Sequence, residues 1–348
     1  MPDKALATII HVNLARGFRG GERQTELLIR ELARRGVTQR LVTRAGQPLA
    51  TRLADVSRLE IVAIGKPFLL KIHHLRGALV HAHDGKGAHM AYGAWHVFGT
   101  RYIVTRRVDN APSASPATKA MFRRAAHVVV LSRAIGRVLT ERFPGLATET
   151  IPSAAADMPV SAQTAAALRA RWGGETIVGQ IGALDDSQKG QYDTLAAARQ
   201  LLADRADWRF VFVGDGKDEA GLKRAAGWDG AHVFTGRVDN VADHLAAFDI
   251  FIFPSRHEGL GSTLLDAMAV GVPIVATAVD GIPEIVEHEV NGLLVAPGDS
   301  AALAVACQRL RDDPELAARL IANGRDRVSR YTVAAMADRY QALYDKLA

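Results

Sequence analysis

The chain has 348 residues, more than one hydrophobic core usually serves and enough for two ordinary domains. Apolar residues make up 48 % and charged residues 23 %, which excludes a disordered, fibrous or repetitive protein. The net charge of +6 is unevenly spread: 24 Lys/Arg face 10 Asp/Glu up to Ala155, and 19 face 27 beyond it, as if two domains met different partners. In chain order, Met1–Ala5 leads at once into a strand pattern, so no secretory signal is expected. Apolar, β-branched runs predict strands at Thr8–Val12, Arg40–Thr43, Glu60–Ile64, Leu79–Ala82, Tyr102–Thr105 and Val128–Leu131. Amphipathic helices lie between them. The clearest is Glu22–Arg35, with Leu27, Leu28, Leu32 and Ala33 on one face. Ile151-Pro152-Ser153, an alanine run and Pro159 then read as a connector. A second strand series follows at Thr176–Ile181, Trp208–Val213, His232–Thr235, Ile250–Phe253 and Pro273–Ala276. Three helical stretches close the chain, the last being Val333–Leu347 with Met336, Tyr340, Leu343 and Leu347 in one stripe.

Strand and helix alternating in this way give an α/β protein with two doubly wound parallel sheets. The boundary falls near Pro152–Ser161. Ligands of such sheets sit beyond the carboxyl ends of the strands, and a cleft between two such domains is the expected site. The single cysteine, Cys307, excludes a disulfide framework and a cysteine metal cluster, and reads as a small buried hydrophobe. No run approaches the ~18 apolar residues of a membrane helix. The expected location is the cytoplasm or the inner membrane surface.

Three segments carry chemistry. Arg16-Gly17-Phe18-Arg19-Gly20-Gly21-Glu22 joins the first strand to the first helix, where glycines let backbone approach a ligand and free amides face an anion. A plain tight turn reads equally well. Gly214-Asp215-Gly216 follows an apolar strand, but the next glycine is Gly221, which fails the dinucleotide spacing. The third segment is the most informative. A strand ending at Phe253 delivers the chain to Glu258, and Gly259 and Gly261 leave the backbone amides uncovered. Ser262 or Thr263 can cap the next helix, and Asp266 stands one turn into it. Helix amides suit a diphosphate, while carboxylates beside them suit sugar or ribose hydroxyls. Alone, Glu258 and Asp266 also read as ordinary carboxylates at a helix start.

This segment resembles the E-x7-E signature of the GT-B glycosyltransferases of the large retaining family 4, the group 1 glycosyl transferases. The likeness covers nearly the whole chain. Gly182–Gly190 resembles the family's phosphate loop, Phe212–Gly216 its "vGdG" turn, and Phe234-Thr235-Gly236 its next strand end. Gly281–Val286 and Asn291–Val295 resemble its closing motifs. The resemblance implies two Rossmann-like domains facing a central cleft: 1–155 on the acceptor side, 156–331 holding the nucleotide-sugar, and a final helix, 332–348, packing back on the first. It implies a nucleotide-diphosphate-sugar donor as co-substrate, no separate cofactor, no metal, and retention at the anomeric carbon. Glu258 would lie near the donor sugar, Asp266 on the ribose, and Lys189 on the diphosphate. The amides of Leu260, Gly261 and Ser262 would cradle its oxygens, and Gly214, Gly259 and Thr263 would also belong to the donor site. Gly20 and Gly21 would border the same phosphates, and main chain at Arg237 would face the base.

Four departures stand out. Asp266 replaces a glutamate, and Ala183 replaces the arginine of the phosphate loop. Thr105-Arg106-Arg107-Val108-Asp109 stands where a histidine is usual, and the linker reads Ser153-Ala154 in place of asparagine-glycine. Arg106 or Arg107 is therefore the expected substitute cation. Proton removal from the acceptor falls to the leaving phosphate, Asp109 or His83, although His83 reads more simply as a satisfied histidine at a strand end. Lys66–Arg76 alternates apolar and cationic residues, and Met121-Phe122-Arg123-Arg124 adds an exposed-looking apolar pair beside charge. With the basic half, they suggest an anionic or lipid-linked acceptor, such as a lipopolysaccharide core or O-antigen glycan, and peripheral contact with an anionic membrane. Ordinary amphipathic helices covering the sheet are the competing reading. A nucleic-acid partner is not expected, since no aromatic-interleaved basic platform is present. A sugar-nucleotide isomerase and a non-catalytic sugar-nucleotide-binding subunit are the alternative functions.

Overall fold

The computed structural model describes residues 8–77, 79–227 and 230–347; the start, Met1–Ala5, lies outside them. The chain forms two units. One runs to Ala154 and takes the chain back from Thr332; the other is Ala155–Tyr331.

The first unit holds β1 (Ile9–Asn13), β2 (Gln39–Arg44), β3 (Leu59–Ile64), β4 (Leu79–Ala82), β5 (Arg101–Arg106), β6 (His127–Val130) and β7 (Glu149–Thr150). They form one sheet in the order β3-β2-β1-β4-β5-β6-β7, parallel throughout. The second unit holds β8 (Thr176–Ile181), β9 (Trp208–Val213), β10 (His232–Gly236), β11 (Ile250–Phe253), β12 (Ile274–Thr277) and β13 (Leu293–Val295). Their order is β10-β9-β8-β11-β12-β13, again parallel. Both sheets are covered on both faces, so their central strands are continuous apolar runs such as the fully buried Ile250-Phe251-Ile252-Phe253. Strand order reverses between β1 and β4 and again between β8 and β11. Each reversal opens a crevice at the carboxyl ends of the neighbouring strands.

The sequence reading misses only β7 and β13 among the described strands. Two and three residues are too short for a periodicity to register. One expectation is corrected. Met121 and Phe122 are buried, with the Phe122 ring 5.5 Å from Phe143. The helix Pro116–Arg124 turns this pair inward and sends its arginines outward. The Lys66–Arg76 stretch forms a 3-10 helix over Phe68–Leu75, with Leu69 and Leu70 exposed at 61 % and 73 %. Cys307 is fully buried, and burial pushes its thiol up to about 12. Among the described residues, no helix is long and apolar enough to cross a membrane.

The closing helix Val333–Leu347 completes the first unit's core. Met336, Tyr340, Leu343 and Tyr344 pack there with Ile9, Leu28, Leu79 and Ile103. Tyr340 is 1 % exposed. Tyr340→Ala should therefore lower unfolding stability by about 3–5 kcal/mol in urea titration. An unchanged midpoint would show that this helix is not part of the core.

Candidate functional site

In the second unit, the crevice lies between the segments that leave β8 and β11. After β8 the chain passes Gly182 and makes one helical turn, Asp186–Lys189. It then turns at Gly190 into the helix Gln191–Asp204. Two close contacts fix this path. A Cβ on Gly214, at the end of β9, would lie 2.0 Å from the Gly182 carbonyl oxygen. A Cβ on Gly190 would lie 2.1 Å from that of Pro254. Gln180 adds a clamp: its side chain donates to the Lys189 carbonyl (2.8 Å) and accepts from Thr194 (2.8 Å).

The consequence is that Lys189 reaches Glu258, and the two side chains form an ion pair. The Lys189 ammonium also lies 5.2 Å from the centre of the Phe253 ring. Glu258 is held by its own amide, which donates to the Asp280 carboxylate (3.0 Å). Beyond it, Gly259, Leu260 and Gly261 lead into the helix Ser262–Val270. The expected Ser262 or Thr263 cap is not formed. Gly261 occupies the capping position with φ 87°, and no side chain caps the helix. Its leading amides have no intrahelical acceptor, and the helix dipole adds positive potential there. An ammonium and unfilled amides at a crevice form an anion site. Gly214 borders it through Gly182. Arg237 is exposed just beyond β10. Asp266 is 3 % exposed and accepts a hydrogen bond from the Ala156 amide of the connector (3.2 Å). One of its oxygens is thereby committed to structure.

In the first unit, the crevice lies between the ends of β1 and β4. Gly20 and Gly21 open the helix Gly20–Arg34, and Glu22 accepts from the Arg19 amide (2.9 Å). Arg107 packs on this turn: a Cβ on Gly21 would lie 3.4 Å from its Cδ. Arg106 is tied instead to Asn110, and Asp109 is half-buried beside it. Behind Arg107 runs a buried chain of hydrogen bonds. A guanidinium only donates, so Arg107 Nη2 donates to His83 Nδ1 (3.2 Å). His83 Nε2 then donates to His11 Nδ1 (2.9 Å), and His11 Nε2 to Gln39 (3.0 Å). Gln39 ends the chain on the Ile29 carbonyl (3.0 Å). His81 is bonded to Tyr344 (2.6 Å) and Thr105 (2.6 Å).

The three histidines bring ligand atoms within 4.8 Å of one another, a grouping suited to a metal. Each of their six ring nitrogens already has a hydrogen-bond partner, so the trio reads as a neutral network. Sequence reasoning missed it, although His81 and His83 share a strand face and His11 is the register partner of His81. Both nitrogens of His83 are engaged and the ring is 3 % exposed, which removes it as an open base. The Nε and Nη1 atoms of Arg107 are buried and meet no acceptor.

Comparison with known proteins bears on the fold and the family likeness. Residues 175–313 match the family model described as glycosyl transferases group 1. Alpha-D-kanosaminyltransferase of Streptomyces kanamyceticus is 28 % identical over 302 residues, 78 % of each chain. The lipopolysaccharide core biosynthesis glycosyltransferase LpsD of Rhizobium meliloti is 36 % identical over 138 residues, 38 % of this chain and 40 % of that one. The crystal structure of Anabaena Alr3699/HepE in complex with UDP-glucose superposes with a TM-score of 0.85 at 19 % identity, covering 98 % of this chain and all of that one. The fold is GT-B.

Burial holds all three histidines neutral, with His11 down to about 4 and His81 and His83 also well below the ordinary value. The unfolded chain takes up these protons first as pH falls through about 6.5. Stability is thus fully present above that pH and is lost towards pH 4. Glu22 and Asp84, pushed up by burial, act in the opposite direction. The melting temperature should fall between pH 6.5 and 4, and less steeply in His11→Gln. An equal slope in the variant would refute the role of His11.

Proposed function

We propose that this chain, whose residues 175–313 match the group 1 glycosyl transferases, moves a sugar from a nucleotide-diphosphate-sugar to a cell-envelope glycan with retention at the anomeric carbon. The observation that carries the reading is the Lys189–Glu258 pair beside the uncapped helix at the crevice of the second sheet. A departing nucleoside diphosphate gathers negative charge while the sugar becomes cationic. Preorganised donors aimed at that charge are the largest expected catalytic contribution. Lys189 and the amides of Leu260, Gly261 and Ser262 are those donors, and they do this work without a metal ion. In the free protein Glu258 neutralises Lys189. An arriving diphosphate takes over the ammonium and leaves the Glu258 carboxylate to the sugar. Asp266 is assigned to the ribose. Arg107 keeps two buried nitrogens without an acceptor at the crevice of the first unit. The acceptor hydroxyl gives its proton to the leaving phosphate or to Asp109.

The acceptor is assigned to the lipopolysaccharide core or O-antigen type. LpsD acts in core biosynthesis, and the first 155 residues of this chain are strongly basic. The same charge supports peripheral contact with an anionic membrane. UDP is the first nucleotide to test, because HepE binds UDP-glucose.

Thermal shift with UDP, GDP, ADP and their sugar conjugates should single out one base, and Lys189→Ala should abolish the shift. The same substitution should lower turnover by ~10²-fold or more. Near-wild-type turnover in that variant would remove Lys189 from the mechanism. A wild type blind to every nucleotide would remove the donor site altogether.

A further inference from the structure

A second cavity lies wholly within the first unit. Its volume is about 690 Å³, within the ~300–1,000 Å³ range of small-molecule sites. Its floor is apolar, made by Phe68, Leu69 and Met90. Lys66, Asp84, Lys86 and His89 are its polar lining residues. Asp84 is committed: its carboxylate accepts from the amides of Leu14, Lys86 and Gly87 and caps the helix Gly85–Phe98. Lys66 and Lys86 are exposed and have no ion-pair partner among the described residues. The cavity wall is therefore almost wholly hydrocarbon, and two exposed lysines stand among its lining residues.

Its surroundings continue the theme. The 3-10 helix Phe68–Leu75 packs on the helix Gly85–Phe98 at Gly93, where an added Cβ would lie 3.4 Å from Ile72 and 3.8 Å from Leu69. Val97 stands one turn beyond Gly93 on the same face. Leu69, Leu70, Val97 and Phe98 are four of the nine large hydrophobic residues left exposed among the described residues. Lys71 and Arg76 flank them. A contiguous apolar ridge among cations is costly in water and suits the boundary of an anionic bilayer.

We propose that this cavity takes one hydrocarbon chain of an anionic, bilayer-borne amphiphile, with its phosphate on Lys66 and Lys86, while Leu69 and Leu70 enter the membrane boundary. Asp84 directly follows His83 at the crevice end of the first sheet. The amphiphile's head is thereby brought to the same end of the unit as Gly20, Gly21 and Arg107. The inference rests on the transferase reading and narrows its acceptor to a lipid-anchored phosphate carrier.

The test uses the full chain with two probes. Vesicles of phosphatidylglycerol and phosphatidylcholine are compared with pure phosphatidylcholine by co-sedimentation. Decyl phosphate, kept below its micelle concentration, is compared with inorganic phosphate and decyl maltoside by calorimetry. The expected results are binding to the anionic vesicles only, and one decyl phosphate per chain with neither control bound. Both should weaken at least tenfold in Leu69→Asp and in the Lys66→Glu/Lys86→Glu double variant. All three positions are exposed, so folding is not at risk. Inorganic phosphate binding as tightly as decyl phosphate would overturn the hydrocarbon half. Decyl maltoside binding as tightly would overturn the anionic half. Vesicle binding without decyl phosphate binding would overturn the cavity. The UDP thermal shift separates the two readings: it should persist in these variants, and its absence from wild type would sink the transferase reading whatever the lipid result.

Discussion

The second sheet's ligand end is closed by main chain lying directly on main chain. Gly214 rests on the Gly182 carbonyl and Gly190 on the Pro254 carbonyl, at separations that no β-carbon tolerates. Lys189 immediately precedes one of these contacts, and Glu258 lies four residues past its partner. The ion pair is thus held by backbone geometry more than by mutual attraction. Lost packing there would move two charges at once. Long, flexible side chains gain fixed positions from their short, stiff neighbours.

The first unit reaches a comparable end by another route. Its crevice is backed by polar side chains, and the direction of every bond follows from one group that cannot accept, the Arg107 guanidinium. Such a buried network is stable only when complete. It holds Arg107 against the Gly21 turn with two nitrogens still unspent. Part of the positive charge of this half is paired, but its net excess over acids remains. Arg30, Arg34, Arg35 and Arg52 are absorbed by Glu26, Glu31, Asp55 and Asp338. Lys66 and Lys86 at the cavity are among the exposed cations that have no ion-pair partner among the described residues.

The order of elements was legible because buried parallel strands are long apolar runs, and four of them match residue for residue: Leu79–Ala82, Thr176–Ile181, Trp208–Val213 and Ile250–Phe253. So was the neighbourhood of Lys189, Gly214 and Glu258, since glycines at strand ends leave a clear pattern. What escaped is what depends on partners distant in sequence. The bond from Ala156 to Asp266 and the bond from His81 to Tyr344 span 110 and 263 residues. Nothing local in either residue announces it. Met121-Phe122 misled for the opposite reason, because adjacent arginines made a buried pair look exposed.

The return of Val333–Leu347 to the first unit has a consequence for biogenesis. Tyr340 and Tyr344 belong to the core that Ile9 and Leu79 begin, yet they leave the ribosome after all of the second unit. Domains usually mature in the order of their synthesis. Here the later one, continuous from Ala155 to Tyr331, can finish while the earlier one still waits for its last helix. Until then an open apolar seam on the nascent first half is a natural target for a chaperone.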